Sequence, residues 1–86
     1  MATKVLIDLD PVQERIYQFI VRYKRLNDGL SPTVREIADG LGMGSTSIQY
    51  QLVNLERTGL IRRVGFRSRG IKLIGGKYVP PAMEGQ

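Results

Sequence analysis

The sequence contains neither cysteine nor histidine. No disulfide can therefore stabilise the fold, and the thiolate and imidazole ligands that zinc usually takes are missing. Histidine is also the commonest general base, and the few carboxylates show no spacing that suggests a convergent acid–base pair. We therefore predict that the chain is not an enzyme, binds no metal and needs no cofactor.

Long apolar runs are also missing from the sequence. A membrane-spanning helix needs about 18 or more consecutive apolar residues, and no segment here reaches that length. The apolar stretch near the N-terminus is too short for a signal peptide, and Asp8 and Asp10 interrupt it. We expect a cytoplasmic protein with no membrane partner.

Acidic residues are absent between Arg57 and Lys77, although the whole chain carries a net charge of only +5. A field of one sign over part of a small domain attracts polyanions and speeds their encounter with it. A merely solvated basic surface is the alternative, but solubility does not require the removal of every acid. The pattern favours a polyanionic partner. The cations of this segment are Arg57, Arg62, Arg63, Arg67, Arg69, Lys72 and Lys77.

What the sequence does contain is enough aliphatic residues for one small core in 86 residues. We predict a domain over residues 10–74. It is preceded by a lead-in or short strand over residues 1–9 and followed by a tail or truncated linker over residues 75–86.

Three helices are predicted from capping residues and apolar stripes. Asp10 and Pro11 begin the first helix, and Thr33 with Glu36 three positions later forms a capping box at the second. Gly42 ends the second helix, and Ser45 is the expected N-cap of the third. The expected inward stripes are Val12, Ile16, Phe19, Ile20 and Tyr23, then Val34, Ile37, Ala38 and Leu41, then Ile48, Leu52 and Leu55.

The outer face of the third helix is polar, as a helix that enters the major groove requires. Its amide and hydroxyl side chains can reach base edges, and the free amides at its start can bind phosphate. An ordinary solvated helix face is the alternative for any one of these residues. The candidates for base readout are Ser45, Thr46, Ser47, Gln49, Tyr50 and Asn54.

Two apolar runs, Leu60 to Val64 and Ile71 to Ile74, predict a β hairpin whose tip spans Gly65–Gly70. Arg62 and Arg63 should point to opposite faces of their strand, so only one of them should face DNA. Arg35 can bind a phosphate or pair with Asp39 one helical turn later, and both remain open. The candidates for contact with the DNA backbone, including the wing, are Thr33, Arg35, Arg63, Arg67, Ser68 and Arg69.

These features predict a mainly α (α+β) fold, a three-helix winged helix-turn-helix with a C-terminal two-stranded wing. The segments SPTVREIADGLG (31–42), LERTGLIRR (55–63) and RSRGIKL (67–73) resemble the N-terminal DNA-binding domain of LexA-type repressors over roughly residues 9–74. The resemblance implies operator binding through the third helix, with the wing on the DNA backbone. It also implies a bacterial, phage or archaeal protein associated with the nucleoid.

Two departures from the family limit what can be carried over. The segment GMGSTSIQ (42–49) is one residue shorter than the family pattern, so the operator sequence cannot be transferred. The family's self-cleaving Ser-Lys domain, which also dimerises the repressor, has no counterpart in the sequence. We expect a sequence-specific regulator of transcription, a repressor, that pairs as a homodimer on palindromic double-stranded DNA. The alternative is a winged-helix interaction module that binds an acidic protein or RNA.

Overall fold

The computed structural model describes residues 9–65 and 69–74 of the chain. Within them, helices α1 (Pro11–Leu26), α2 (Val34–Leu41) and α3 (Ser45–Thr58) precede strands β1 (Ile61–Arg63) and β2 (Ile71–Leu73). The strands pair antiparallel in a two-stranded sheet. This order confirms the predicted winged helix-turn-helix. The expectations for residues 1–8, for the tip residues 66–68 and for residues 75–86 lie outside the described residues.

Local capping sets the starts of α1 and α2, as predicted. The Asp10 side chain accepts a hydrogen bond from the Gln13 amide at 2.9 Å, with Pro11 in the first turn. At α2, the Glu36 amide donates to Thr33 Oγ1 and the Thr33 amide donates to Glu36 Oε1, each at 3.0 Å. This reciprocal pair is a complete capping box, which satisfies two amides that the helix itself leaves free.

The prediction that Ser45 caps α3 is wrong, because the helix begins one residue earlier. The Ile48 amide donates to the Gly44 carbonyl at 3.1 Å, so Gly44 is the N-cap and Ser45 is the first helical residue. Gly42 ends α2 in the left-handed conformation at φ 68°. Gly44 then takes extended geometry, and the structure shows no side-chain hydrogen bond capping α3.

The core lies where the three helices meet the base of the hairpin. Helix α3 packs against α1, α2 and β1, and α1 also packs against α2. The stripe predicted for α3 is fully buried, whereas in α1 the core includes Tyr17 as well as residues of the expected stripe. The buried apolar residues are Ile16, Tyr17, Ile20, Ile37, Ala38, Ile48, Leu52, Leu55, Leu60, Ile61 and Ile71.

Gly40 lies inside α2, where a glycine normally weakens a helix. A Cβ built at this position would lie 2.7 Å from Cζ of Phe19 and overlap its ring. The absence of a side chain at Gly40 therefore lets Phe19 of α1 pack against α2. Phe19 in turn stacks on Tyr23, with ring centroids 6.2 Å apart.

The register of the hairpin gives the sheet one cationic face and one apolar face. Ile61 pairs with Leu73, Arg62 with Lys72, and Arg63 with Ile71. Because side chains alternate along a strand, the outer pair Arg62 and Lys72 shares the face opposite the buried Ile61 and Ile71. The hairpin therefore presents cations outward and apolar side chains to the helices.

Candidate nucleic-acid interface

The start of α3 presents a continuous polar surface. Ser45, Thr46, Ser47, Gln49 and Tyr50 are exposed, and Tyr50 retains 66% of its accessible surface. Asn54, the last predicted base-reading residue, is half-buried at the margin of this face. The structure thus brings the six predicted side chains together on one helix, with five of them in solvent. Their role in base readout stays a prediction.

The N-terminus of α3 is suited to an anion. Its N-cap is Gly44, no side chain caps it, and its first turn contains no acid. The first amides of a helix have no intrahelical acceptor and carry a partial positive charge. Backbone amides and the hydroxyls of the exposed Ser45, Thr46 and Ser47 can therefore donate to a phosphate.

Helix α2 contributes the predicted backbone contacts Thr33 and Arg35. The Thr33 hydroxyl accepts from the Glu36 amide, which leaves the hydroxyl proton able to donate outward. Arg35 is exposed in the first turn of α2. Among the ion pairs of the described residues, none joins Arg35 to Asp39. The alternative role of Arg35 as the partner of Asp39 thus gains no support, and the phosphate contact stays a prediction.

The hairpin places Arg62 outward and Arg63 inward. Arg62 is exposed, whereas Arg63 is half-buried on the face of Ile61. The Arg63 amide donates to Glu56 Oε2 at 3.3 Å, which holds this strand against the end of α3. Lys72 lies opposite Arg62 and is also exposed. The two side chains point to opposite faces as expected, with Arg62 on the exposed face, and the contact of Arg63 with the DNA backbone stays a prediction.

The Arg69 side chain folds back onto the helices, although it remains 36% exposed. Its Nη1 donates to Ser31 O at 2.8 Å, to Glu36 Oε1 at 3.0 Å and to Tyr23 Oη at 3.2 Å. Its Nη2 donates to Glu36 Oε2, also at 3.0 Å. The predicted contacts Arg67 and Ser68 lie outside the described residues, so the structure locates only Arg69 of the three tip residues.

The contact between Arg69 and Glu36 shifts the pKa of both groups. The pKa of Glu36 is lowered from 4.5 to about 2, and the hydrogen bond from Arg69 is the largest cause, followed by that from the Thr33 amide. The same contact raises the pKa of Arg69 further above its ordinary value. Glu36 is thus a permanently charged acceptor at neutral pH, and it holds Arg69 against α2.

Sequence reasoning missed four residues of this surface. Arg62 and Lys72 follow from the strand register, which is fixed only when Ile61 and Ile71 are known to face the core. Tyr23 was assigned to the core stripe and Glu36 to the capping box, and neither role indicates a contact with Arg69. The one signal in the sequence was that Glu36 and Arg69 both lie in segments that carry the family resemblance, SPTVREIA and RSRG.

No group of three metal-binding side chains occurs in residues 9–65 and 69–74. Over the same ranges, no helix is both long and apolar enough to span a bilayer.

The comparisons with known proteins agree with this geometry. The family model described as the LexA DNA binding domain matches residues 7–70. A LexA repressor of Magnetococcus marinus is 42% identical over 66 residues, which cover 77% of this chain and 28% of the relative.

Two further relatives extend the comparison. The LexA repressor of Herpetosiphon aurantiacus is 42% identical over 74 residues, or 85% of this chain and 34% of the relative. That of Clostridium acetobutylicum is 47% identical over 64 residues, or 73% of this chain and 31% of the relative. The chain thus spans about a third of the length of the curated relatives that it matches. The match to most of the chain, together with the helix order and the hairpin, shows that it belongs to the LexA DNA-binding domain family.

Proposed function

We propose that this chain binds double-stranded DNA in a sequence-specific way and represses transcription, with α3 in the major groove and the hairpin on the DNA backbone. The observation that carries the proposal is the exposed polar face of α3, which follows directly on a helix start with no side-chain cap and no acid. A helix of this kind can bind a phosphate with its amides while its side chains reach base edges.

Base readout is assigned to side chains of matching chemistry on α3. Gln49 and Asn54 can each pair with the N6 and N7 positions of adenine, and the hydroxyls of Ser45, Thr46 and Ser47 can donate or accept. Tyr50 is the one exposed aromatic side chain on the described part of α3, and its ring can contact the methyl group of thymine. The operator half-site should therefore contain A·T pairs in the centre of the contacted groove.

Backbone contact is assigned to the cations around this helix. Arg62 and Lys72 provide two outward charges on the hairpin, and Arg35 and Thr33 provide a cation and a hydroxyl at α2. We retain Arg67 and Ser68 of the tip as predicted contacts. Arg63 becomes a secondary candidate, because its side chain lies on the inner face and is half-buried.

Repression would follow from occupation of the operator by this domain. The similar proteins are named LexA repressors, and a regulator that occupies an operator blocks access to that stretch of DNA. A single domain makes few base contacts, so tight binding should require two copies on a palindromic site. The homodimer on DNA and the palindrome are both parts of this proposal.

An interaction module that binds an acidic protein or RNA is the competing function. Its supporting observation is that Val53 of α3 is 48% exposed beside Tyr50. Stable protein interfaces bury about 800 Å² on each partner around a cluster of apolar residues. Two exposed side chains among hydroxyls and amides provide too little apolar surface for that, so the polar face of α3 favours DNA.

Selection from random duplex DNA, followed by titration of the enriched sites, tests the proposal. If four to six phosphates are neutralised, log K should fall against log salt with a slope of about −4 to −5. Enrichment of a motif with A·T pairs supports base readout by α3. Binding that ignores salt, or a pool with no enriched motif, would refute the DNA-reading function and favour the interaction module.

A further inference from the structure

Arg69 connects the hairpin to three separate parts of the helical body. Its guanidinium contacts Tyr23 of α1, the Ser31 carbonyl of the α1–α2 loop and both carboxylate oxygens of Glu36 of α2, at distances of 2.8–3.2 Å. We refer to Arg69, Glu36, Tyr23 and Ser31 together as the Arg69 clamp. A planar guanidinium held by a bidentate carboxylate and further acceptors has a fixed direction as well as a fixed position.

A second link lies two residues further along the chain. The Ile71 amide donates to Ser31 Oγ at 3.2 Å, and the Ser31 hydroxyl donates to the Pro32 carbonyl at 3.1 Å. Ser31 is 4% exposed, so water does not compete freely for these bonds. The start of β2 is therefore held to the α1–α2 loop through both the side chain of Arg69 and the backbone of Ile71.

The clamp acts at the place where the hairpin leaves the core. Leu60, Ile61 and Ile71 bury the base of the hairpin, and the Val64 amide donates to the Gly70 carbonyl at 2.8 Å near the tip. Arg69 lies on the tip side of that bond and is the described residue through which this end of the hairpin is tied to α2. Without it, the start of β2 would be held to the α1–α2 loop by the Ile71 amide alone.

We propose that Arg69 is a positioning residue, which fixes the cationic hairpin relative to α3, and that it is not a contact to a DNA phosphate. This inference rests on the proposed function. All four of the acceptors that Arg69 uses belong to the chain itself, and a phosphate that took over the Nη1–Nη2 edge of the guanidinium would have to displace Glu36. The low pKa of Glu36 keeps that competitor charged at any pH at which DNA is duplex.

Glu36→Gln distinguishes the two roles of Arg69 by the direction in which DNA affinity changes. Glu36 is an acid close to a surface that should bind a polyanion, so simple electrostatics predicts that its removal strengthens DNA binding. If Glu36 instead orients the hairpin through Arg69, its removal must weaken binding. Glu36→Gln is a clean variant, because glutamine keeps the oxygen that the Thr33 amide needs and so preserves the capping box.

The control is Asp39→Asn on the same helix. Asp39 is exposed and carries the same charge, but it takes no part in the clamp. Binding should be measured by titration of an enriched duplex at several salt concentrations, with thermal unfolding of each variant as the check on folding.

We expect Glu36→Gln and Arg69→Met each to weaken binding about tenfold, with the double variant no weaker than either alone, as for residues that act as a unit. Arg69→Lys should lose as much, because an ammonium cannot satisfy the forked set of acceptors. The salt slope of Glu36→Gln should equal that of the wild type, and Asp39→Asn should bind as tightly or more tightly.

A contact between Arg69 and a DNA phosphate would give different changes in affinity and salt slope. Arg69→Lys would then be near wild type, Arg69→Met would flatten the slope by about one, and Glu36→Gln would strengthen binding.

Amide hydrogen exchange without DNA separates the clamp from the proposed function. In Glu36→Gln and Arg69→Met, the amides of Val64 and Ile71 should exchange faster, while that of Ile20 in the core should not change. If no duplex binds but this pattern is found, the clamp stands and the proposed function fails. If duplex binds and neither exchange nor affinity responds to Glu36→Gln, the clamp is refuted.

Discussion

Ser31 carries more of the fold than its position in a short loop suggests. Its hydroxyl accepts a hydrogen bond from the Ile71 amide, and its carbonyl accepts one from Arg69. One buried serine therefore joins the α1–α2 loop to the start of β2. From the sequence, Ser31 was only the residue before Pro32, and proline indeed keeps it out of helical space. Its long-range role could not be predicted, because Ile71 is 40 positions away in the chain.

We predict that Ser31→Ala lowers the free energy of unfolding by about 1–3 kcal/mol, because the Ile71 amide is left buried without an acceptor. Urea denaturation followed by circular dichroism measures this. Ser45→Ala, an exposed serine whose side chain caps nothing, is the control and should change stability by less than about 0.5 kcal/mol. Equal effects of the two substitutions would show that the buried hydrogen bond is not the cause.

Glu36 gives stability a dependence on acid pH. Its pKa is lowered from 4.5 to about 2 in the folded protein, chiefly by Arg69. The folded state therefore binds the proton less readily than the unfolded state does, and this contribution is fully present above the unfolded pKa. It is lost as the pH falls from about 4.5 towards 2.

We predict that the difference in unfolding free energy between wild type and Glu36→Gln shrinks over that pH window and is constant above it. Denaturant titrations at pH values from 6 to about 2 check this. Arg69→Met should weaken the same dependence, since it removes the largest cause of the shift while the hydrogen bond from the Thr33 amide remains. A difference that stayed constant down to the lowest pH would contradict the role of Arg69 in lowering this pKa.

At the scale of elements, the helices could be predicted and the polar contacts between elements could not. Caps are local, so Asp10, Thr33 with Glu36, and Gly42 at the end of α2 could be identified from neighbouring residues. The start of α3 was misplaced by one residue because a glycine and a serine are both acceptable N-caps. From the sequence, Glu36 was assigned to the capping box and Arg69 to the DNA backbone, and neither assignment indicates that the two side chains meet.

The exposed Tyr50 of α3 leads to a prediction about the thymine methyl group in the operator. If the exposed Tyr50 ring packs on a thymine methyl, an enriched duplex in which deoxyuridine replaces the contacted thymine should bind more weakly, since only the methyl is removed. We expect a loss of about 1 kcal/mol, the value of burying one such group. Tyr50→Ala should bind both duplexes equally, whereas Gln49→Ala should still distinguish them. A wild type that ignores the replacement at every thymine would exclude this contact.

The hairpin carries two like charges directly opposite each other, Arg62 and Lys72. Such a pair destabilises a sheet by a few tenths of a kcal/mol to about 1 kcal/mol, so its presence fits a surface that receives a polyanion. We predict that Arg62→Gln with Lys72→Gln leaves unfolding unchanged or raises its free energy, while it flattens the salt slope of DNA binding by about two.

The matched control for this pair is Arg63→Gln on the inner face of the same strand. It removes a cation of the same type at the neighbouring position, and it should change the salt slope by less than about one. Titrations at several salt concentrations provide both numbers. If Arg63→Gln flattened the slope as much as the outer pair does, the inner face would have to reach the DNA.

At the scale of the whole molecule, size decides how binding must work. The described residues have a radius of gyration of 12.4 Å and a longest extent of 35 Å, which is about one turn of B-DNA. One copy can thus contact the major groove with a single helix over a few base pairs. Base contacts of about 1–3 kcal/mol each cannot give high affinity from so short a site, so sequence choice and affinity should both rise when two copies bind together.

Half-site spacing tests this requirement. Two copies related by a twofold axis present their α3 helices to the same side of the duplex only when the half-site centres are about 34 Å, or about 10 base pairs, or a multiple of this apart. We predict that two-copy binding to palindromes with half-sites moved apart one base pair at a time is strongest at such spacings. Five added pairs turn one half-site to the far side of the duplex, so cooperativity should vanish there while single-copy binding persists. Binding that is equally tight at every spacing would mean that the copies bind independently, and affinity would then have to come from the hairpin and the helix start of each copy alone.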